Sequence, residues 1–436
     1  MKSMLPTVNR PWATWRHVAT ALVSVVLSTV LAVSPVMALN DAQQLVVESW
    51  KLVNQSYVNP DRFEEVHWKR LRQKALEGTI TSSEQAYSAI ETMLSPLGDP
   101  YTRLLRPDDY TVMKASNQGS LSGVGLQLAH GSGDGRVVVI APLEGSPAAE
   151  AGVVSGTAVL AVNGESTEGL GLETTAARLR GDVGTQVVLN LQAPDGTTDE
   201  VTLERRSVDL RPVRTRRLRQ NDHTLGYLRI TQFSEGVPQQ VQEAIAELSE
   251  KGIEGLVLDL RNNSGGLVSA GLAVADAFIS SDPIVETRNR EGIADPIQAS
   301  ALTLYDGPMV TLVNGGTASA SEILAGALQD DGRSQLLGSR TFGKGLIQTL
   351  TNLSDGSGLA VTVAGYLTPN GRDIQGQGLE PDRQLDQPEP LNPGGDGDSW
   401  LIDAQRVLEP LLENKAGQDG ASAEETSADA ANLDAI

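Results

Sequence analysis

The sequence predicts a multidomain α/β protein. The chain has 436 residues, more than one hydrophobic core usually organises, and 40% of them are hydrophobic. Its character changes from apolar residues at helical spacing, to short strands with glycine turns, and then to buried strands alternating with helices. The last of these patterns is typical of a partly parallel sheet covered by helices.

Composition excludes several classes of function. The net charge of −21 disfavours nucleic acid as a partner, because phosphate binding needs a basic surface. The chain has no cysteine, so thiolate metal sites, cysteine nucleophiles and disulfides are all excluded. It has only four histidines, and none lies in a recognisable motif. We therefore expect a base other than imidazole. The sequence as a whole implies neither a metal nor a cofactor.

The N-terminus has the order of a secretory signal. Basic residues such as Arg10 and Arg16 precede an apolar run over 18–33, and small residues follow up to Ala38. This order predicts a signal peptide over residues 1–38 that is cleaved after Ala38, and hence an exported protein. The alternative is an uncleaved anchor, but the run is short for a span of about 20 apolar residues.

The next two regions differ in periodicity. Residues 39–118 place Val46, Trp50, Val53 and Tyr57 at helix spacing, which predicts a helical region. Residues 119–207 contain short strands, glycine turns and a short helix.

The order of strands and turns over residues 119–207 resembles a PDZ domain. The alternative is an ordinary small β-domain with glycine turns. The resemblance implies that the loop at Gly123, Val124, Gly125 and Leu126 binds a carboxylate with its backbone N–H groups. A peptide C-terminus held there adds a strand to the sheet edge.

Residues 208–387 alternate buried strands with helices, and they contain the motifs that carry chemistry. An apolar run over 253–260 ends in a glycine-containing turn, and a second run over 309–313 leads towards Ser319. After this region we expect a linker and one helix over residues 388–415. Residues 416–436 form an acidic tail without core-forming residues, which predicts disorder.

Ser319 is the candidate nucleophile. It lies between Ala318 and Ala320 at a predicted junction of strand and helix. Small neighbours let a substrate backbone approach the hydroxyl, and the helix N-terminus favours a developing oxyanion. The alternative is a helix cap, because Ser319 followed by Glu322 also fits a capping box.

Lys344 is the candidate base, 25 residues after the serine. Gly343 and Gly345 allow close packing around it, and Phe342 offers a dry neighbour that would help to lower its pKa. If the segment is helical, the Gln348 amide can orient the lysine from one turn away. The alternative is a solvated loop lysine.

Together these motifs resemble the carboxyl-terminal processing, or tail-specific, serine proteases. The resemblance rests on residues 258–266, 317–322 and 342–345 behind a PDZ-like region, and it covers residues 39–386. It implies a protease domain of ClpP/crotonase-like fold, with Ser319 as nucleophile, Lys344 as general base and Gln348 as its orienter. It also implies oxyanion donors at the Gly265 and Ala320 backbone N–H groups.

The stretch over residues 99–107 is most similar to the cyanobacterial and plastid lumenal members. Those members trim the C-terminal extension of a photosystem II reaction-centre precursor. The resemblance therefore implies protein or peptide substrates with free C-termini, a periplasmic or thylakoid-lumen location, and proximity to a membrane where the substrate is a membrane protein.

Two other functions stay open at this point. The chain could be a PDZ-type scaffold with an inactive protease-like domain, although the intact pair of Ser319 and Lys344 disfavours this. It could also be a crotonase-like lyase or isomerase, which the absence of a recognisable nucleotide-binding patch disfavours.

Overall fold

The computed structural model describes residues 39–413, apart from residues 120, 131–135, 144, 182, 209–210, 295, 302, 391–392 and 396. The predicted signal peptide and the predicted acidic tail over 416–436 lie outside the described residues. Within the described part of the chain, no helix combines the length and the apolar character needed to cross a membrane.

The N-terminal region is helical and packs on a hairpin from far along the chain. Asn40 begins the first helix, where its side-chain oxygen accepts the Gln43 N–H at 2.8 Å. The helices share a core with Leu359 and Val361, which anchors the region to the rest of the molecule. The elements are α1 (Asp41–Ser56), α2 (Arg62–Glu65), α3 (Trp68–Glu77), α4 (Ser83–Leu94), a 3₁₀ turn (Ser95–Leu97), β1 (Arg103–Leu105) and α5 (Pro107–Asn117).

The second region is a small antiparallel sheet with its own core. The elements are β2 (Leu121–Gly123), β3 (Leu126–His130), β4 (Val137–Pro142), α6 (Pro147–Glu150), β5 (Ala158–Val162), β6 (Glu165–Ser166), α7 (Gly171–Leu179), β7 (Gln186–Gln192), β8 (Thr198–Glu204) and β9 (Arg206–Val208). The strands of the sheet are in the order β3-β4-β5-β7-β8, so β3 lies at an edge, and α7 packs near it.

The third region contains a partly parallel sheet, as predicted. The elements are β10 (Val213–Gln220), β11 (His223–Ile230), α8 (Val237–Glu250), β12 (Gly255–Asp259), α9 (Val268–Asp276), β13 (Pro283–Asn289), β14 (Gly292–Ile293), β15 (Ile297–Gln298), β16 (Met309–Val313), α10 (Ala320–Asp330), β17 (Gln335–Gly338), β18 (Leu346–Asn352), β19 (Gly358–Leu367), β20 (Arg383–Gln384) and α11 over 399–413. The strand order of the partly parallel sheet is β10-β11-β12-β16-β17-β20, and every neighbouring pair from β11 onward is parallel. A second, antiparallel sheet contains β1, β13, β14, β15, β18 and β19.

The parallel pairing brings two loops to one edge of the sheet. Strands β12 and β16 are buried along their whole length and run side by side. Their carboxyl ends therefore meet, as they do where α/β sheets place their sites. The loop after β12 starts at Leu260, whose carbonyl accepts the Thr317 hydroxyl at 2.8 Å.

A buried ion-pair network holds the start of this edge. Arg261 and Asp259 are fully buried, and the guanidinium of Arg261 lies between the carboxylates of Asp259 and Asp398 at 2.5 and 2.6 Å. Burial alone would raise the pKa of Asp259, but the guanidinium groups of Arg261 and Arg229 hold it well below its usual range. Asp398 also accepts the Leu401 N–H at 3.0 Å, so the same carboxylate caps α11.

Removing the Asp398 carboxylate should destabilise the fold. We expect Asp398→Ala to lower the free energy of unfolding by about 3 kcal/mol, because it leaves a buried guanidinium short of a partner. The control is Asp403→Ala on the same helix, whose pair with Arg406 is partly exposed to solvent and should contribute less than about 0.5 kcal/mol. Chemical denaturation followed by circular dichroism measures both. Equal effects in the two variants would contradict the role given to Asp398.

Candidate active site

Ser319 has a backbone conformation that an ordinary helix cap does not need. It precedes α10 with φ 57° and ψ −120°, whereas an N-cap residue is usually extended. A residue with a Cβ is strained at this positive φ, and such strain is concentrated at functional sites. Ala318 and Ala320 are fully buried on either side. The geometry therefore exceeds what the capping interpretation requires.

Glu322 joins the serine to the lysine. One carboxylate oxygen accepts the backbone N–H groups of Ser319 and Lys344, both at 2.9 Å. The other accepts the Gly343 N–H at 2.8 Å and the Thr341 hydroxyl. Burial raises the pKa of Glu322, and these hydrogen bonds to the ionised form oppose that effect. A single buried side chain thus fixes two segments relative to each other.

Tyr366 provides a second link between the same segments. Its hydroxyl lies 3.0 Å from the Ser319 carbonyl oxygen and 2.7 Å from the Lys344 carbonyl oxygen. The residue is almost fully buried, and burial raises the pKa of its hydroxyl well above the usual value. Tyr366 therefore acts here as a hydrogen-bond donor.

The environment of Lys344 favours the neutral amine. Burial lowers its pKa to about 8, and the positive charge of Arg103 adds to this, while Glu322 and Asp99 act in the opposite direction. The expected dry neighbour, Phe342, packs against other residues. The aromatic ring beside the amine is that of Tyr101, and its centroid lies 5.1 Å from the Lys344 Nζ.

Ser319 and Lys344 line one cavity of about 640 Å³. Residues from all three regions share its wall. From the third region, Ser264, Gly265, Gly266, Gln232 and Gln348 contribute, and from the first two regions Arg103, Asp109, Leu126, Gln127, Leu128, Leu172, Ala176 and Arg180. The cavity is thus continuous from Ser319 to the edge strand of the second region.

The turn after β12 lies directly against Ser319. The Asn263 carbonyl accepts the Ala318 N–H at 2.9 Å, and its amide oxygen accepts the Gly265 N–H at 3.0 Å. A Cβ on Gly265 would lie 2.8 Å from the Ser319 Cβ and 2.9 Å from the Ala320 nitrogen. Only glycine fits there, because the site also has φ +98°.

Gln348 lies on a strand, so the helical spacing considered from the sequence is wrong. Its segment is β18, with a register shift between Ile347 and Gln348 where β18 pairs with β19. Pairing with β19 gives this segment its extended conformation, which the spacing of Lys344 and Gln348 alone does not reveal. Gln348 still lines the cavity, and its Nε2 is buried without a hydrogen-bond partner among the described residues.

The predicted carboxylate-binding loop leads into the edge strand β3. Val124 is buried in the core of the second region, so it offers only its backbone. The carbonyls of Val124 and Gly125 accept the N–H groups of Ala148 and Leu143. A Cβ on Gly125 would clash with Ser146, so glycine is needed there for packing as well. Gly123 and Leu126 flank this turn.

The second region also touches the loops that carry Ser319 and Lys344. Ala129 and Ile140, from β3 and β4, form a small buried cluster with Ala318, and Phe342 packs against it. These contacts join the β-domain to the residues beside Ser319 and Lys344. The arrangement places the β3 edge close to Ser319.

Gln232 is a residue of the cavity wall that sequence reasoning did not single out. Gln232 is 6% exposed, and its Nε2 donates to the Ser116 carbonyl at 3.1 Å. This bond fixes the orientation of the amide, and its Oε1 has no partner among the described residues. Its position just after β11, at the same edge of the parallel sheet, was the signal that could have revealed it.

In the described ranges, no cluster of three or more His, Asp or Glu side chains could hold a metal ion.

Comparison with known proteins gives the class. Residues 138–192 match the PDZ domain family, and residues 224–385 match peptidase family S41. The chain is 42% identical over 405 residues to a carboxyl-terminal-processing protease of Picosynechococcus sp., covering 92% of this chain and 97% of that one. It is 40% identical over 371 residues to the chloroplastic C-terminal processing peptidase of Tetradesmus obliquus, covering 81% and 80%.

A solved structure agrees. The chain superimposes on a photosystem II D1 C-terminal processing protease with a TM-score of 0.73 and 38% identity, covering 85% of this chain and 98% of that one. The fold and these similarities define a serine-type peptidase with a PDZ domain. The chain belongs to the carboxyl-terminal-processing proteases of peptidase family S41. The predicted fold class and family are confirmed, and the lyase alternative is set aside.

A methyl group on Gly265 should block the site without unfolding the protein. We expect Gly265→Ala to slow acylation of Ser319 at least about a hundredfold, because it fills the space beside the Ala320 N–H. Gly356→Ala is the control, since φ is +88° there but nothing lies within 4 Å. A serine-reactive reagent with mass detection measures the rate. Similar acylation by both variants would contradict the proposed location of the oxyanion.

Proposed function

We propose that Ser319 is the nucleophile and Lys344 the general base of this protease. The observation that carries the proposal is that Glu322 binds the backbone of both residues beside one shared cavity. Neutral Lys344 accepts the Ser319 proton as the hydroxyl attacks the scissile carbonyl. Water then hydrolyses the acyl-enzyme.

We propose that backbone N–H groups hold the oxyanion. The Ala320 N–H belongs to the first turn of α10, whose amides have no partner within the helix. The Gly265 N–H would exchange its bond to Asn263 for the oxyanion, which is a stronger acceptor because it is charged. Gln348 is proposed to orient the lysine, since it lines the same cavity and its amide oxygen can accept an N–H of the amine.

We propose that the PDZ region holds the substrate tail. The tail carboxylate binds backbone N–H groups of the loop from Gly123 to Leu126, and the tail adds a strand to the edge of β3. Leu126, Leu128, Leu172 and Ala176 line the cavity that continues to Ser319. A tail held there raises the local concentration of the scissile bond at the nucleophile.

The similar proteins support a proposal for the substrate class. The superimposed structure is named for photosystem II D1, and similar proteins come from cyanobacteria and chloroplasts. We propose that this chain is exported to the periplasm or thylakoid lumen. We also propose that it processes the C-terminus of a photosystem II reaction-centre precursor. This also implies that it works close to a membrane surface.

The proposed domain limits are those predicted from the sequence.

The pH dependence tests the base. The rate of Ser319 acylation should rise about tenfold per pH unit below pH 8 and level off above it, because only the neutral amine accepts the proton and its pKa is about 8. Lys344→Arg should be nearly inactive at every pH, since guanidinium stays protonated. A flat wild-type profile with chemistry rate-limiting, or an active Lys344→Arg variant, would contradict the role of Lys344 as the base and favour another mechanism.

Blocking the substrate C-terminus tests the role of the PDZ region. A peptide with a C-terminal amide should be cleaved about ten times more slowly than the free acid, mainly through a higher KM, because the tail has lost its charge. The control is acylation of Ser319 by a small reagent without any peptide. This reaction should not depend on the PDZ region. Equal cleavage of acid and amide would remove the tail-binding role and leave the Ser319 and Lys344 assignment standing.

A further inference from the structure

A turn from the N-terminal helical region lies beside Lys344. The Asp99 carboxylate accepts the Tyr101 N–H at 2.9 Å and the Thr102 hydroxyl at 2.7 Å, which closes a side-chain-stabilised turn. Thr102 is buried, and its hydroxyl oxygen accepts the Thr362 N–H of β19 at 3.0 Å. The strand β1, which follows, pairs with β19. The turn is therefore fixed to the second sheet of the protease domain.

This fixed turn delivers an aromatic ring to the lysine. The ring centroid of Tyr101 lies 5.1 Å from the Lys344 Nζ. An aromatic face attracts an ammonium through its quadrupole, and the attraction is stronger where water is excluded. A neutral amine lacks this interaction, so the ring distinguishes the two protonation states of the lysine.

Other charged groups face the same amine. Arg103 on β1 disfavours the ammonium, while Glu322 on α10 and Asp99 in the turn favour it. Arg180 and Asp109 also line the cavity and pair with each other. Within this set the Tyr101 ring is a favourable neighbour that carries no charge at neutral pH.

We propose that Tyr101 is a positioning residue for the general base, which stabilises the ammonium that Lys344 becomes during acylation. The inference rests on the proposed role of Lys344. In the step concerned, the Ser319 O–H bond breaks, its proton binds the Lys344 lone pair, and the oxygen bonds to the acyl carbon. The carbonyl electron pair moves to the oxyanion. The ammonium then lies beside the ring until it returns the proton to the leaving amine.

The pH profile of Ser319 acylation tests this inference in the full-length chain. Tyr101→Leu keeps an apolar side chain but removes the ring, so the ammonium loses its stabilisation. We expect the acid limb of the profile to move about one unit to lower pH, and the plateau to fall several-fold because the base is weaker. Tyr101→Phe keeps the ring and should retain the wild-type profile.

A matched control separates this effect from general destabilisation. Tyr87 lies in the same helical region, and its ring faces the Arg106 guanidinium at 5.1 Å. Tyr87→Leu should leave the limb in place, although it loses a buried tyrosine. Tyr101→Met replaces Tyr101→Leu if that variant does not fold.

The outcomes distinguish this inference from the proposed function. A limb that stays in place or moves to higher pH in Tyr101→Leu would overturn the role of the ring and leave Lys344 as the base. A wild-type profile without any limb would remove both proposals. A shift in Tyr101→Phe equal to that in Tyr101→Leu would assign the effect to the hydroxyl and overturn the inference.

Discussion

The site depends on one buried carboxylate. Glu322 binds the N–H groups of Ser319, Gly343 and Lys344, and so fixes the start of α10 against a segment more than twenty residues later in the chain. Backbone N–H donors cannot rearrange as side chains do, and four donors surround the two oxygens when Thr341 is included. The strained backbone at Ser319 persists because the surrounding bonds over-determine it.

The rest of the fold supports this arrangement from three directions. The parallel pairing of β12 and β16 brings the Asn263 loop against Ala318, where the two loops are hydrogen bonded. The PDZ domain packs Ala129 and Ile140 on the same segment. The N-terminal helical region contributes Tyr101 to the lysine. Ser319 and Lys344 therefore lie in one domain, while the residues that surround them come from all three.

The sequence revealed what is local. The buried runs predicted β12 and β16. The small residues around Ser319 and Lys344 predicted close packing, and their neighbours in the structure are closely packed. Long-range packing decided the rest. Tyr101 is 243 positions before Lys344 in the sequence (344 − 101), and no local pattern connects them. Gln348 is extended because β18 pairs with β19, a tertiary effect that overrides local spacing.

The most direct measurement is labelling of Ser319 by a fluorophosphonate probe, mapped by peptide mass spectrometry, in wild type, Glu322→Gln and Asp330→Asn. Asp330 lies at the far end of the same helix and pairs with Arg372, so it is the control. The account predicts that the label falls on Ser319 at similar rates in wild type and Asp330→Asn. In Glu322→Gln, labelling should be about a hundredfold slower with the fold retained, since small displacements of reacting groups have effects of this size. Labelling of another residue, or undiminished labelling in Glu322→Gln, would contradict the account.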